Sequence, residues 1–514
     1  MNWWEKIKRY FTKEVPYLAT KELATIFDHE HVDFNGNEFN RIEENFRIYA
    51  GDYEPVKYIN SRREEVERPF MSLNMSNEVA KLLGGIIFNE ECEIQIADEK
   101  SSTDIDVKFI NEVLENNDFK KNFSGYLQVM LATGGLAAKP YYDAATGDFK
   151  FSWTLADTFI PLKNNTNNIS EAVIPSYTQI VDGDKTYYYT LLEFHEWAEG
   201  NIYVIRNELY RSETEGKTGK KVALAELYEN LQEITYYTKF SRPNFTYLKT
   251  NLFNNKDPQS PLGLSVTDNA KETLHQVNNA YDQFYWEIKQ GQRKVIVSDH
   301  FLRTKTDHNG RPYQIFDDET NVYLGLPGNM DEMKYQDITQ NIRAEQYITS
   351  INKFLSTLEM QVGLSTGTFY FDGQSVKTAT EIVSENSMTY RTRNSHISNV
   401  TQFIKELIIS LCELARETYD MNGRPLYKGR IPEKEEIEVD FDDGVFVDKN
   451  AELEFYGKAA TLELMPKQVV MEKLFKLSEA DAAEWYKKIL AEQFGLDPAE
   501  FAAKQEEEQF GAEE

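Results

Sequence analysis

The sequence predicts an α+β protein built from several sub-structures, and three observations carry that prediction. The chain has 514 residues, more than one ordinary core can fill. Its hydrophobic period shifts in blocks, from helical spacing to strand spacing and back, which favours segregated helices and antiparallel strands over regular alternation. Hydrophobic residues make up 41% and aromatics 13%, enough to build real cores despite a mean hydropathy of -0.58.

The first residues, "MNWWEKIKRYFTKEVP", place Trp3, Trp4, Ile7 and Phe11 on one helical face, yet Glu5, Lys6, Lys8 and Arg9 interrupt any apolar run. A terminal helix docked on its own or a neighbouring subunit is expected, with a membrane-surface helix as the alternative and no signal peptide. "NGNEFNRIEENFRIYAGDY" reads as a short amphipathic helix stopping near Gly51, and Val79, Leu82 and Leu83 mark another. A strand follows at residues 92–96, then a helix over 106–131 that ends at Thr133, Gly134 and Gly135. From Lys139 to about Tyr237 aromatic and β-branched runs alternate with Gly, Asn and Asp turns, the pattern of an antiparallel meander.

Beyond the meander the period returns to helical. Val266, Ala270, Leu274, Val277, Tyr281, Phe284 and Ile288 recur at spacings of three and four, one seam of a rod about 40 Å long closed by Gly291 at the C′ position. A compact β-type insert follows, with turns at Asn309-Gly310 and Pro327-Gly328. A second rod starts at Asp337 and turns Ile338, Ile342, Ile348, Ile351, Leu355, Leu358 and Val362 one way. Gly363, Gly367 and Gly373 then punctuate a loop displaying Phe369, Tyr370 and Phe371, and Thr378 with Glu381 forms a capping box for a helix over 379–419, about 60 Å if unbroken. That helix is polar in its first half and apolar in its second, at Ile397, Val400, Ile404, Leu407, Leu411 and Leu414. An acidic strand pair in "EIEVDFDDGVFVDKN", two or three short helices and a disordered acidic tail complete the expectation.

Charge and motif content exclude several functions. With 85 acidic against 56 basic residues the net charge is -29, which argues against tight nucleic-acid binding, since such affinity rests on basic groups displacing counterions. No run approaches the roughly 18–20 apolar residues of a membrane span. Two distant cysteines, Cys92 and Cys412, imply no disulfide framework and an intracellular assembly site. "EGKTGKK" lacks the first glycine of a phosphate-binding loop, with Arg211 in its place, and reads as a hairpin tip. "DHEHVD" offers His29, His31 and three carboxylates, but without a distant ligand partner it is not taken as a metal site. The other histidines, His195, His275, His300, His308 and His396, sit in no nucleophile context. Neither a catalytic residue nor a cofactor is expected. Arg293, Lys294, Arg303 and Lys305 form a basic cluster in the β-insert, read as a docking or phosphate-facing surface against the plainer reading of solubilising charge.

The order body, rod, β-insert, rod, Gly/Thr loop, long helix, return strand and helical cap now stands beside the segments "MSLNMSNEVAKLLGGIIFNEE", "LATGGLAAKPYYD", "LADTFIPL", "SVKTATEIVSENS" and "IEVDFDDGVFVDKNAELEF". Over most of its length the chain resembles the portal proteins of long-tailed phages of Gram-positive bacteria. The resemblance implies a portal fold assembled as a ring, usually of about twelve subunits, at one capsid vertex. Residues 1–264 would form the N-terminal wing, 265–291 and 337–362 the stem helices, 292–336 the clip, 363–378 the tunnel loop, 379–448 the long wing helix with its return strands, and 449–514 the crown and tail.

The resemblance further implies double-stranded DNA passing through the channel, the terminase large subunit and then a head-completion or neck adaptor protein at the clip, contacts with major capsid and scaffolding proteins, and no membrane. The protein would be assembled in the host cytoplasm and reside at the virion's portal vertex. Ser365, Thr366, Gly367, Thr368, Gly373, Gln374 and Lys377 would face the DNA channel. The alternative for Phe369–Phe371 is that they tuck into the subunit's own core. The stem seam, Leu274, Val277, Tyr281, Phe284, Ile288, Ile351, Leu355 and Leu358, would find its partners in adjacent copies. An acidic channel wall would repel a polymer carrying one charge about every 1.7 Å and let it slide. The competing reading is another phage head-assembly or neck adaptor protein without a DNA channel.

Overall fold

The computed structural model describes residues 22–32, 36–59, 64–96, 104–164, 168–291, 295–298, 303–306, 310–315, 323–326, 336–337, 341–370, 387–441, 449–462, 464–475 and 479–493. The N-terminal aromatic face, the Thr378/Glu381 capping box and the acidic tail lie outside the described residues. The chain divides into two compact units, Met1–Gln374 with Met388–Phe441, and Ser375–Ser387 with Asp442–Glu514.

In the first unit, helix α1 (Gly36–Ala50) buries Ile42 and Asn45. A hairpin, β1 (Val56–Ile59) and β2 (Glu65–Arg68), leads to α2 (Met75–Ile87), whose Val79, Ala80 and Leu83 are fully enclosed. Strand β3 (Glu93–Ile96) precedes α3 (Val107–Asn116) and α4 (Phe119–Thr133). The expected single helix over 106–131 is therefore two. The Asn117 side chain donates to the carbonyls of Val113 at 2.7 Å and Phe149 at 2.9 Å, competing with the helical ladder, and Asp118 turns left-handed at φ 45.

The meander divides into two antiparallel sheets. Strand β4 (Gly135–Asp143) lies between β5 (Asp148–Leu155) and the later β12 (Thr246–Lys249). Strands β6 (Ile160–Asn164), β7 (Ile169–Asp182), β8 (Lys185–Ala198), β9 (Ile202–Ser212) and β10 (Lys220–Val222) run in sequence order, with β11 (Ile234–Tyr237) also paired to β9. Buried polar groups knot the two sheets together: Lys139 on β4 reaches Glu193 on β8, and the His195 ring meets Glu193 at 2.6 Å and the Tyr203 hydroxyl at 2.7 Å. Burial alone would raise the Glu193 carboxyl, but Lys139 and His195 outweigh it and hold its pKa below the ordinary value. Where α4 gives way to β4, Gly134 adopts φ +104, and a Cβ there would sit 2.6 Å from the Gly263 carbonyl oxygen. Gly134 thus permits two backbones to touch, while its neighbour Gly135 leaves room for the Tyr247 ring.

Helix α5 (Lys271–Gln290) ends at Gly291, whose φ of -73 differs from the left-handed C′ glycine expected. Glycine is needed there for space, because a Cβ would meet Ile342 Cγ1 at 2.9 Å. The insert holds β13 (Val295–Ser298), β14 (Arg303–Thr306), β15 (Pro312–Ile315), β16 (Tyr323–Leu326) and β17 (Gln336–Asp337). Strand β13 lies between a parallel β16 and an antiparallel β17, and β14–β15 form a hairpin. The second rod, α6 (Ala344–Val362), begins later than the expected Asp337, which is strand. Helix α7 (Ser387–Glu417) follows, and β18 (Ile437–Asp440), the first strand of the expected acidic pair, takes β3 as its partner. Residues 442–448, where the second strand of that pair is expected, lie outside the described residues. The second unit contains α8 (Lys449–Thr461), α9 (Lys467–Phe475) and α10 (Glu479–Gln493).

One core joins α2, α4, α5, α6 and α7, and it corrects the stem-seam expectation. Leu274, Val277, Ile351, Leu355 and Leu358 are buried inside the single chain, while Tyr281 and Phe284 are half-buried against the same cluster. The same buried cluster takes in Val79 and Leu83 of α2 and, through Val400, Ile404, Leu407 and Leu411, the apolar half of α7, so the seam is enclosed within the single chain rather than by neighbouring copies. Of the seam residues only Ile288 is exposed, at 46%, near Tyr285 and Ile342 at the rods' outer end. There the Arg343 guanidinium and backbone N–H both donate to Glu287, and Phe284 stacks on Tyr347 at 5.4 Å.

Candidate functional site

The segment joining α6 to α7 is described as far as Tyr370. Helix α6 stops because Gly363 turns to φ +78, and the Leu364 N–H then reaches back to the Glu359 carbonyl at 2.8 Å. A side chain at Gly363 would collide with Thr392, whose hydroxyl donates to the Gly363 carbonyl at 2.6 Å. The chain next crosses to α7: the Ser365 N–H donates to the Thr389 hydroxyl at 2.9 Å, and the Thr389 N–H returns a bond to the Ser365 hydroxyl at 3.3 Å.

Glu359, on the last turn of α6, completes the root. Its side chain is fully enclosed and accepts the Gly367 N–H at 2.8 Å and the Phe369 N–H at 2.6 Å. A carboxylate accepting two backbone donors makes strong, charge-assisted bonds, and it fixes the backbone without consuming a side chain of the loop. Thr368 adds a bond from its hydroxyl to the Ser365 carbonyl at 2.5 Å. The result is a fixed shelf: Phe369 packs half-buried on the main core, and Tyr370 stands 66% exposed with its ring edge over Gly367.

The predicted loop residues therefore separate. Thr366 and Gly367 are exposed, Thr368 is half-buried, and Ser365 is a buried strut, which corrects its assignment as a channel-facing residue. Gly373, Gln374 and Lys377, like Phe371, lie outside the described residues. Of the basic cluster, Arg303 and Lys305 occupy β14 opposite Ile315 and Tyr313. Arg293 and Lys294 are outside the described residues. Sequence reasoning missed Glu359, Thr389 and Thr392. The signal for Glu359 was present: it interrupts the apolar seam between Leu355 and Val362, where a carboxylate survives only with partners.

The other sequence candidates resolve into structural roles. His29 is buried with its Nε2 3.1 Å from the Glu208 carboxylate, tying residues 23–32 to β9. Among the described residues no group of three or more His, Cys, Asp or Glu is placed to hold a metal ion. The "EGKTGKK" stretch is the β9–β10 hairpin tip, and Gly219 exchanges backbone hydrogen bonds with Leu23 at 2.8 and 2.9 Å. No described helix is long and apolar enough to cross a membrane.

A family model described as "Phage portal protein, SPP1 Gp6-like" matches residues 28–494. No curated protein matches the chain. Among solved structures, a chain from "Neck of empty GTA particle computed with C6 symmetry" is similar at 10% identity, covering 78% of this chain and 88% of that one with a TM-score of 0.40, too distant a likeness to build on. The family match takes in both sheets of the meander, both rods, the β-insert, the loop shelf and the three described helices of the second unit, and the protein belongs to the SPP1 Gp6-like phage portal protein family.

Proposed function

We propose that the shelf at Gly363–Tyr370 carries a loop into the channel through which double-stranded DNA enters and leaves the capsid, in a ring of about twelve copies. The portal role itself follows from the family, a structural rather than enzymatic one, and makes the chain a component of a phage particle. The supporting observation is the fixed root between α6 and α7: a loop that lines a moving polymer needs a rigid base, and Glu359, Thr389 and Thr392 supply one. On this reading α5 and α6 are the stem, residues 292–336 the clip that docks the terminase and then a neck adaptor, and residues 449–514 the crown. The basic positions Arg303 and Lys305 belong to that docking surface. Assembly in the host cytoplasm and placement at the capsid vertex complete the proposal.

Shortening the loop between Gly367 and Gly373 tests it. The variant is expected to assemble into rings of unchanged native mass while DNA filling of capsids drops at least several-fold. Normal filling would remove the loop from the channel. A particle that runs as a monomer at every concentration and salt would remove the ring.

A further inference from the structure

We propose that Glu359 is a positioning residue for DNA translocation: its buried carboxylate sets how the loop root is held and thereby where Tyr370 is displayed. The inference rests on the channel reading above and extends it to a side chain that never faces DNA. Three features carry it. Glu359 is fully enclosed, although charged side chains are seldom so, and both of its oxygens are spent on loop backbone. The two donors, Gly367 and Phe369, flank the half-buried Thr368 and lie immediately before exposed Tyr370, so the carboxylate controls the last turn of chain before the exposed ring. Apart from Glu359, the helix side chains bonded to the root, Thr389 to Ser365 and Thr392 to Gly363, come from α7. Glu359 is thus the link from α6, and the root is clamped between two helices of the same subunit.

The geometry also dictates which substitution discriminates. Glu359→Gln keeps the volume and one acceptor oxygen, but turns an NH2 group toward an N–H that then has no acceptor. Thr392→Val removes one bond from the α7 side at a half-buried position and serves as a second variant should Glu359→Gln fold poorly. Exchange of the exposed Glu345 on α6 for Gln is the control.

Hydrogen exchange on assembled rings reads the clamp, and in vitro packaging reads its use. Expected for Glu359→Gln is at least tenfold faster exchange over residues 365–370, unchanged protection along α6 and α7, unchanged ring mass, and a several-fold fall in DNA filling. Thr392→Val should act in the same direction and Glu345→Gln in neither assay. Unchanged exchange in both Glu359→Gln and Thr392→Val would overturn the clamp. Faster exchange with normal filling would overturn the positioning role and leave Glu359 a purely structural residue. Failure of the channel reading itself is separately visible, because the loop-shortened protein would then fill normally whatever Glu359 does.

Discussion

Buried ionisable side chains decide much of this molecule's behaviour, and His396 shows how. It is 3% exposed on α7, its Nδ1 accepts the Asn251 N–H at 3.3 Å, and burial pushes its pKa down to about 4. Above the ordinary value of about 6.5 the ring is neutral in both folded and unfolded chains, and its contribution is complete. As the pH falls from there toward about 4, the unfolded chain takes up a proton that the folded chain refuses, so stability drops by at most roughly 3 kcal/mol. An asparagine in its place cannot take up that proton, so His396→Asn should flatten the dependence. The check is thermal melting at about pH 7 and about pH 4.5, on either side of most of that proton uptake, where the variant should lose less than the parent. Equal losses would show that other groups set the acid limit. His195 is lowered by burial in the same direction, so the variant's effect is partial. At this scale sequence reading reached Phe369 and Tyr370 but not their anchor, because a carboxylate inside the apolar seam signals that Glu359 has partners without saying that they are the Gly367 and Phe369 amides.

Among the secondary elements, those with long uninterrupted periodicity were legible: α5, α6 and the apolar half of α7 lie where the spacing of Leu274, Leu355 and Leu407 puts them. What could not be read was pairing. Nothing in the strand pattern says that β4 and β5 leave the meander to join β12, or that β18 crosses to β3, because strand alternation specifies a face and not a neighbour. The same limit explains the seam: periodicity identified its apolar residues, but that other elements of the same chain enclose them is tertiary information. Close approach of elements gives a sharp test. A Cβ on Gly263 would stand 2.2 Å from the Gly134 carbonyl oxygen, a backbone atom that cannot rotate aside. Gly263→Ala should therefore cost about 1–3 kcal/mol, measured as a lowered denaturation midpoint by tryptophan fluorescence. An unchanged midpoint would mean that the α4–β4 junction yields easily.

For the molecule as a whole, the charge of -29 is the property most directly tied to its task. A conduit that bound DNA strongly would stall it, since each basic contact displaces counterions that must be recovered at the next step. Assembled rings are expected to retain no measurable linear duplex at about 0.15 M salt in a filter or gel assay. Tight retention at that salt would contradict a weakly repelling wall.

Strand β3 belongs to the early part of the chain and β18 to its late part, yet the two are paired. The sheet that joins them cannot form until synthesis is well past β18. A partly made chain on the ribosome can fold its strands and α4 early but must wait to close its body. Long-range closure of this kind is slow, and a chain cut short before β18 lacks the strand that completes this sheet.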